Sequence, residues 1–152
     1  MMEEKKSIKI ATIILFIVLA YAAVYSLISI IIPDVFAVRI FPGYTGQSWS
    51  DFVASSPKLA NHHRATARLA GGFALSTVVA GFFVLLTSFK KGEKWSWFCL
   101  LFVSLIAWVN SLIFGIFGKD PISITMDLVG LILFIIGIVI PAKTILGKKK
   151  IE

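Results

Sequence analysis

Four long runs of apolar residues, separated by more polar segments, dominate the pattern of this chain. A helix rises about 1.5 Å per residue, so a run of roughly 20 apolar residues spans the hydrocarbon core of a bilayer. Ser56 followed by Pro57 is typical of a helix start, which places the beginning of the second helix ahead of its apolar run. The pattern predicts an all-α membrane protein whose single domain, residues 1–152, is a bundle of four transmembrane helices at about 10–32, 57–89, 95–117 and 122–142.

The connection over residues 33–56 is the one long interruption, and its pattern predicts a short helix of its own. Ser48 and Asp51 have the spacing of a capping box, in which the residue before a helix and its third residue satisfy free backbone N–H groups. Trp49 and Phe52 then share one helical face. We therefore expect a short helix lying on the outer membrane surface, with both rings in the interface.

The basic residues are distributed unevenly around the apolar runs. Ten lysines belong to the segments on one side: Lys5, Lys6, Lys9, Lys90, Lys91, Lys94, Lys143, Lys148, Lys149 and Lys150. Five basic residues belong to the other side: Arg39, Lys58, Arg64, Arg68 and Lys119. Cytoplasmic segments are enriched in Lys and Arg, so we expect both termini in the cytoplasm and residues 33–56 outside. Because the basic residues flank the apolar runs, we interpret the net charge of +7 as a feature that contacts the lipid bilayer. We expect no nucleic-acid partner.

The composition agrees with a membrane protein and excludes several chemistries. Hydrophobic residues make up 58% of the chain and charged residues 15%, whereas soluble domains average roughly 45–50% and 25%. Cys99 is the single cysteine, so no disulfide can form within the chain. The sequence contains no phosphate-binding loop, zinc-protease motif or serine-hydrolase motif. We therefore assign no catalytic residue, no metal ligand and no cofactor.

The few polar residues inside the apolar runs lie near one end of the predicted helices. Asp127 is five residues into the fourth helix, about 7–8 Å below its outer end. The other polar residues of this layer are Asn110 and Ser111 on the third helix, Arg68 on the second, and Tyr25 and Ser26 on the first. All four helices thus bring polar groups to one outer layer, which we interpret as a candidate ligand-binding cluster.

Helical spacing suggests how two of these residues are oriented. One face of the fourth helix carries Asp127, Gly130, Phe134, Gly137 and Pro141, and one stripe of the second carries Arg68, Gly72, Ser76 and Ala80. Small residues let transmembrane backbones approach closely, so we expect both stripes to face the bundle interior. Arg68 and Asp127 would then form an ion pair, because a guanidinium group can satisfy both carboxylate oxygens. The pair could be a structural clamp or part of a solvent-reached pocket, and Asp127 could instead extend to the surface.

His62, His63 and Arg64 form a second candidate group. Adjacent residues point about 100° apart on a helix, so the two histidines cannot bind one metal ion together. Either they are surface polar residues, or they form a pH-sensitive or ligand-contacting collar above the second helix.

The stretch Arg64-Ala-Thr-Ala-Arg68-Leu-Ala-Gly71-Gly72-Phe73 follows a Ser-Trp-Ser-Asp-Phe segment and precedes a Lys-Lys-Gly-Glu-Lys-Trp turn. In this arrangement, residues 45–142 resemble small four-helix membrane proteins of the DoxX-like kind. Arg68 and Gly72 are the positions most similar to that family's Arg-then-Gly signature at the start of its second helix. The resemblance implies a four-helix bundle in a bacterial or archaeal cell membrane. Some DoxX-like relatives are thought to accompany quinone-linked oxidoreductases, so the resemblance also implies that role as an alternative.

Three hypotheses of function follow from these observations. The first is a non-catalytic binding or accessory subunit that works within a homo-oligomer or a larger membrane complex. The second is a small-solute permease acting as an oligomer, because four helices leave little room for a path through one copy. The third is a subunit of a quinone-linked membrane oxidoreductase.

Overall fold

The fold is a bundle of long helices with two short helices across one end. It is seen in a computed structural model that describes residues 2–147. In chain order the helices are α1 (Met2–Ile31), α2 (Asp34–Thr45), α3 (Trp49–Ser55), α4 (Pro57–Thr87), α5 (Lys94–Phe117), α6 (Pro121–Val139) and α7 (Ala142–Leu146), with a 3₁₀ turn at Phe89–Lys91. Four segments, built on α1, α4, α5 and α6, are long and apolar enough to cross a membrane. The predicted all-α bundle with four spanning helices is confirmed.

The long helices stand at the corners of a bundle in which one pair of neighbours is spread apart. α1 packs along both α4 and α6, and α5 packs along α6, so α4 and α6 lie at opposite corners. α4 and α5 are joined by the lysine-rich turn at 88–93 and pack much less closely on each other. We call this end of the bundle the lysine end. Its buried apolar residues include Ile8, Leu85, Phe89, Leu100 and Ile145.

The fourth predicted helix, 122–142, is interrupted near its end. Pro141 has no backbone N–H to donate to the preceding turn, so α6 ends at Val139 and the short α7 begins after the proline. The Trp97 indole Nε1 donates a hydrogen bond to the Ile138 carbonyl oxygen at 2.9 Å. A side chain of α5 thereby satisfies a backbone group that the helix break leaves open.

The predicted interior stripe of α6 is confirmed. Its residues Asp127, Gly130, Phe134, Gly137 and Pro141 are all buried. The two glycines leave room for large neighbours, because a Cβ built on Gly130 would lie 2.1 Å from the Trp108 ring and one on Gly137 would lie 2.8 Å from Leu15. The absence of side chains at these positions therefore lets α5 and α1 approach α6 closely.

The interior face of α4 is not the one that its stripe predicted. The buried residues of α4 are Ala60, Gly71, Val78 and Leu85, and Gly71 lies directly against Ser26 and Ser29 of α1. Ser76 and Ala80 are exposed, and a Cβ added at Gly72 would meet no atom within 4 Å. The prediction that Arg68, Gly72, Ser76 and Ala80 face the interior is therefore wrong.

The helices α2 and α3 form a cap, residues 34–55, over the end of the bundle opposite the lysine end. The predicted start of α3 is confirmed, since Ser48 Oγ accepts a hydrogen bond from the Asp51 backbone N–H at 3.1 Å. Trp49 is only 5% exposed, and its ring packs against Phe41 and Phe52 inside the cap. The expectation that the Trp49 ring lies in the membrane interface is therefore wrong, and α3 belongs to a small core of its own.

The C-terminal end of α2 is held against the connection between α5 and α6. A Cβ built on Gly43 would lie 1.9 Å from the Gly118 carbonyl oxygen, so these two glycine backbones are in direct contact. The Tyr44 hydroxyl donates a hydrogen bond to the Phe114 carbonyl oxygen at 3.0 Å. α2 thus crosses the capped end of the bundle from the end of α1 to the end of α5.

We expect the cap to lie outside the cell and the lysine end to lie in the cytoplasm, because lysines are enriched on the cytoplasmic side. Ser55 and Lys91 are exposed at opposite ends of the bundle. In a Cys99→Ala background, a membrane-impermeant maleimide should label Ser55→Cys on intact cells. Lys91→Cys should react only after the membrane is permeabilised. Labelling in the reverse order would overturn this topology.

Candidate functional site

Two adjoining cavities lie between α4 and α5, with α1 behind them. One of about 580 Å³ is lined by α1, α2, α4 and α5 beneath the cap. The other, of about 250 Å³, lies between α1, α4, α5 and α6 and extends toward the lysine end as far as Gly81 and Leu100. Both are lined by Tyr25, Ser26, Ala74 and Ser111. We treat them as one continuous space and call it the groove.

Small side chains on the facing sides of α4 and α5 leave this space open. The groove is lined by Ala67, Ala70 and Ala74 of α4, and by Ser104, Ala107 and Ser111 of α5. Ala74, Thr77, Val103 and Ala107 line the groove and are also exposed on the bundle surface. The groove is therefore open sideways, through the gap between the two helices.

Asp127 is the one carboxylate that lines the groove, within the part of the chain that the structure describes. Asp127 is buried, with only 5% of its surface exposed. Ser111 Oγ donates a hydrogen bond to Asp127 Oδ2 at 2.9 Å, which joins α5 to α6. The ion pairs found among residues 6–147 do not include Asp127. A buried acid inside the bundle thus has a hydroxyl partner and no basic partner.

Aromatic rings surround the same part of the groove. The Tyr21 and Trp108 rings are stacked, with their centroids 6.1 Å apart and their planes at 5°. Tyr25 packs on Phe36 of the cap, with ring centroids 4.3 Å apart. The Tyr21 hydroxyl is buried and has no hydrogen-bond partner among the described residues. Tyr21, Trp108 and Asp127 all line the deeper cavity, but the Tyr21 hydroxyl itself is covered by surrounding atoms.

The predicted ion pair between Arg68 and Asp127 is wrong. Arg68 is exposed, and its Nε donates to the Ile30 carbonyl oxygen of α1 at 3.3 Å. Asp127 lies on α6, at the opposite corner of the bundle from α4. The pairing assumed that the Arg68 face of α4 points inward, whereas that face lies on the outside of the α1–α4 contact.

The other residues nominated from the sequence are divided between the groove and the surface. Tyr25, Ser26 and Ser111 line both cavities of the groove, and His63 lines the cavity beneath the cap. His63 packs against Trp49, with ring centroids 5.1 Å apart, whereas the adjacent His62 is exposed. Asn110 is also exposed, and its Nδ2 donates to the Ile106 carbonyl oxygen of its own helix at 2.8 Å. The structure thus does not bring Asn110 or His62 to the polar layer, because each lies on an outward face of its helix.

Arg64 joins the cap to α4. Its Nε and Nη2 donate to the two carboxylate oxygens of Asp34, both at 2.8 Å, and its Nη1 donates to Asn61 Oδ1 at 2.9 Å. These hydrogen bonds hold the pKa of the Asp34 carboxyl below its usual value, and the nearby Trp49 indole lowers it further. Trp49 Nε1 itself makes no hydrogen bond of ordinary geometry within the described residues. Arg64 is thus already engaged at the start of α2 and does not line the groove.

A second clamp between the cap and the bundle was missed in the sequence. Asp120 precedes α6 and accepts hydrogen bonds from the Ile122 N–H at 3.2 Å and from Ser123 Oγ at 2.5 Å. Arg39 of α2 lies beside it, with Nε 3.5 Å from Asp120 Oδ2. The Asp120-Pro121 pair is a recognisable helix start and could have identified the acid. Its basic partner could not be found, because Arg39 lies on a helix that the pattern did not predict.

No protein-family model, curated protein or solved structure matches this chain. The groove and the residues around it are therefore the basis for any statement about function.

Proposed function

We propose that this protein is a non-catalytic binding or accessory subunit of a bacterial or archaeal cell membrane, and that its groove holds a membrane-soluble amphipathic molecule. The observation that carries the proposal is the groove itself, a cavity of about 580 Å³ continued by one of about 250 Å³ and open between two spanning helices. Ligand sites are typically concave and largely apolar, with a few polar groups that orient the ligand.

The lining of the groove supports an apolar ligand with a polar end. Apolar side chains such as Phe41, Ala70 and Val103 form most of its walls. Its polar side chains are mostly hydroxyl groups, such as those of Ser26 and Ser111, together with the carboxylate of Asp127. A molecule whose chain lies between α4 and α5 and whose polar end reaches these groups would satisfy both parts of the site.

The alternatives relate to the groove in different ways. A permease for small polar solutes needs a polar path, and these mostly apolar walls support that function less well. A quinone is a membrane-soluble amphipathic molecule, so the quinone-linked hypothesis would place a neutral ligand in the same groove. Identifying what the groove binds would therefore also decide between the proposed subunit roles.

The test uses a photoreactive probe, a dodecanol chain that carries a diazirine, in nanodiscs of phosphatidylcholine. Ala74 lines the groove, whereas Ala80 lies on the same helix, is exposed and does not line it. Ala74→Trp should fill the gap and lower labelling of groove peptides several-fold, since a tryptophan side chain is the largest available. Ala80→Trp should leave labelling unchanged. If labelling were the same in wild type and both variants, the groove would not be a binding site.

A further inference from the structure

We propose that the ligand of the groove carries a cationic head group, such as the ammonium of a lipophilic amine, and that Asp127 is its charge partner. This inference rests on the proposed binding function and names the chemistry of the ligand. It starts from the position of Asp127, which is the seventh residue of α6 and lies on the bundle side of a spanning helix. A carboxylate inside a bilayer is costly unless a cation, water or hydrogen-bond donors compensate it.

Three arginines lie toward the capped end of the bundle, and none of them forms an ion pair with Asp127. Arg39, on α2, is ion-paired with Asp120 at 3.5 Å and its Nη2 donates to Ser123 Oγ, although its Nε makes no hydrogen bond of ordinary geometry. Arg64, on α4, is engaged with Asp34. Arg68, also on α4, is turned outward and bonds to α1. The described parts of α1 and α5 contribute no basic residue at the level of Asp127. Ser111 therefore supplies the acid's hydrogen bond, and no side chain of residues 6–147 supplies a positive charge.

The neighbours of Asp127 favour a cation over a neutral head group. The faces of aromatic rings attract cations, and Tyr21, Tyr25 and Trp108 all line the deeper cavity with Asp127. A buried acid and aromatic rings that line one cavity together complement an alkylammonium group.

The overall charge of the protein makes this proposal specific. The chain carries a formal net charge of +7, which repels cations from the molecule as a whole. Preference for a cationic probe therefore cannot come from general electrostatic attraction. It has to come from a local site that overcomes the repulsion.

The experiment compares three photoreactive probes in phosphatidylcholine nanodiscs at pH 7. They share one diazirine-bearing dodecyl chain and end in an ammonium, a hydroxyl or a carboxylate. At equal concentration in the bilayer, the ammonium probe should label groove peptides about tenfold more than the hydroxyl probe, because charge-assisted hydrogen bonds are the stronger kind. The carboxylate probe should label them least.

Two variants assign the preference to its residue. Asp127→Asn keeps the size of the side chain and an acceptor for Ser111, and it should reduce labelling by the ammonium probe to the level of the hydroxyl probe. Asp51→Asn removes an exposed carboxylate from the cap and should leave the tenfold preference intact.

The outcomes separate this inference from the proposed function. Labelling that Ala74→Trp abolishes but that is equal for the ammonium and hydroxyl probes would overturn the cationic ligand and leave the binding function standing. It would then favour a neutral ligand such as a quinone. Labelling that Ala74→Trp does not change would overturn both. Because the head-group comparison is made on the wild-type protein, it decides whether the ligand is cationic even if Asp127→Asn fails to fold.

Discussion

Replacing Gly43 with alanine should loosen α2 from the bundle and lower the free energy of unfolding by about 1–3 kcal/mol. The new Cβ would lie 1.9 Å from the Gly118 carbonyl oxygen and 2.3 Å from its carbonyl carbon. Both are backbone atoms, so no side chain can rotate to make room. The C-terminal half of α2 must move away from the end of α5, and the hydrogen bond from Tyr44 to Phe114 should be lost with it.

The matched control for this change is Gly72→Ala on α4. A Cβ at Gly72 would meet nothing within 4 Å. Alanine is favoured over glycine in a helix by about 1 kcal/mol, so the control should be neutral or stabilising. Unfolding in mixed micelles would measure stability, and hydrogen exchange over residues 34–45 would report on α2. If Gly43→Ala behaved like the control in both measurements, the close contact between the two glycines would not exist in the membrane.

Replacing Gly130 with alanine should also destabilise the bundle by about 1–3 kcal/mol, and it should weaken labelling of the groove. The added Cβ would lie 2.1 Å from Cη2 of the Trp108 ring. That ring is 8% exposed and is stacked on Tyr21, so it cannot move away without separating the two rings. Because Trp108 and Tyr21 line the groove near Asp127, the change should alter the site as well as the packing.

The Gly130 prediction is checked by unfolding in mixed micelles together with labelling by the dodecyl probes. Gly72→Ala again serves as the control, since it adds the same methyl group to a spanning helix in open space. Trp108→Phe in the Gly130→Ala background should restore part of the stability, because a smaller ring leaves room for the methyl group. Absence of any rescue would show that the loss does not arise from the contact between residues 108 and 130.

Two helices show how far small residues can identify an interior face. After its first turns α6 is composed mostly of large apolar side chains, so its two glycines and Asp127 stand out on one face, and that face is buried. α4 carries alanine, glycine, serine and threonine on all sides, so a four-residue step selects one stripe among several. Its true interior follows Gly71, Val78 and Leu85 at seven-residue intervals. Composition therefore predicts a face only where small residues are scarce.

The candidate site was predictable to the extent that it depends on the spanning helices. Asp127, Ser111 and Tyr25 were placed in one layer by their depths, and the structure brings them to the groove. The part contributed by α2 could not be predicted, because Pro42 and Gly43 are typical breakers and yet lie inside that helix. Pro42 lacks a backbone N–H, so the helix loses one hydrogen bond there. Gly43 is required because its backbone contacts that of Gly118. Tertiary contact here overrides local preference.

The shape of the groove determines how its contents are exchanged. At the lysine end, Leu85 and Phe89 are completely buried and close the space between α4 and α5. At the other end, α2 lies across the bundle and is attached at Gly43 and Tyr44. The gap between α4 and α5 remains open along the side of the bundle, where groove-lining residues such as Ala74 and Val103 are exposed. We therefore expect a membrane-soluble molecule to enter and leave the groove sideways, through this gap.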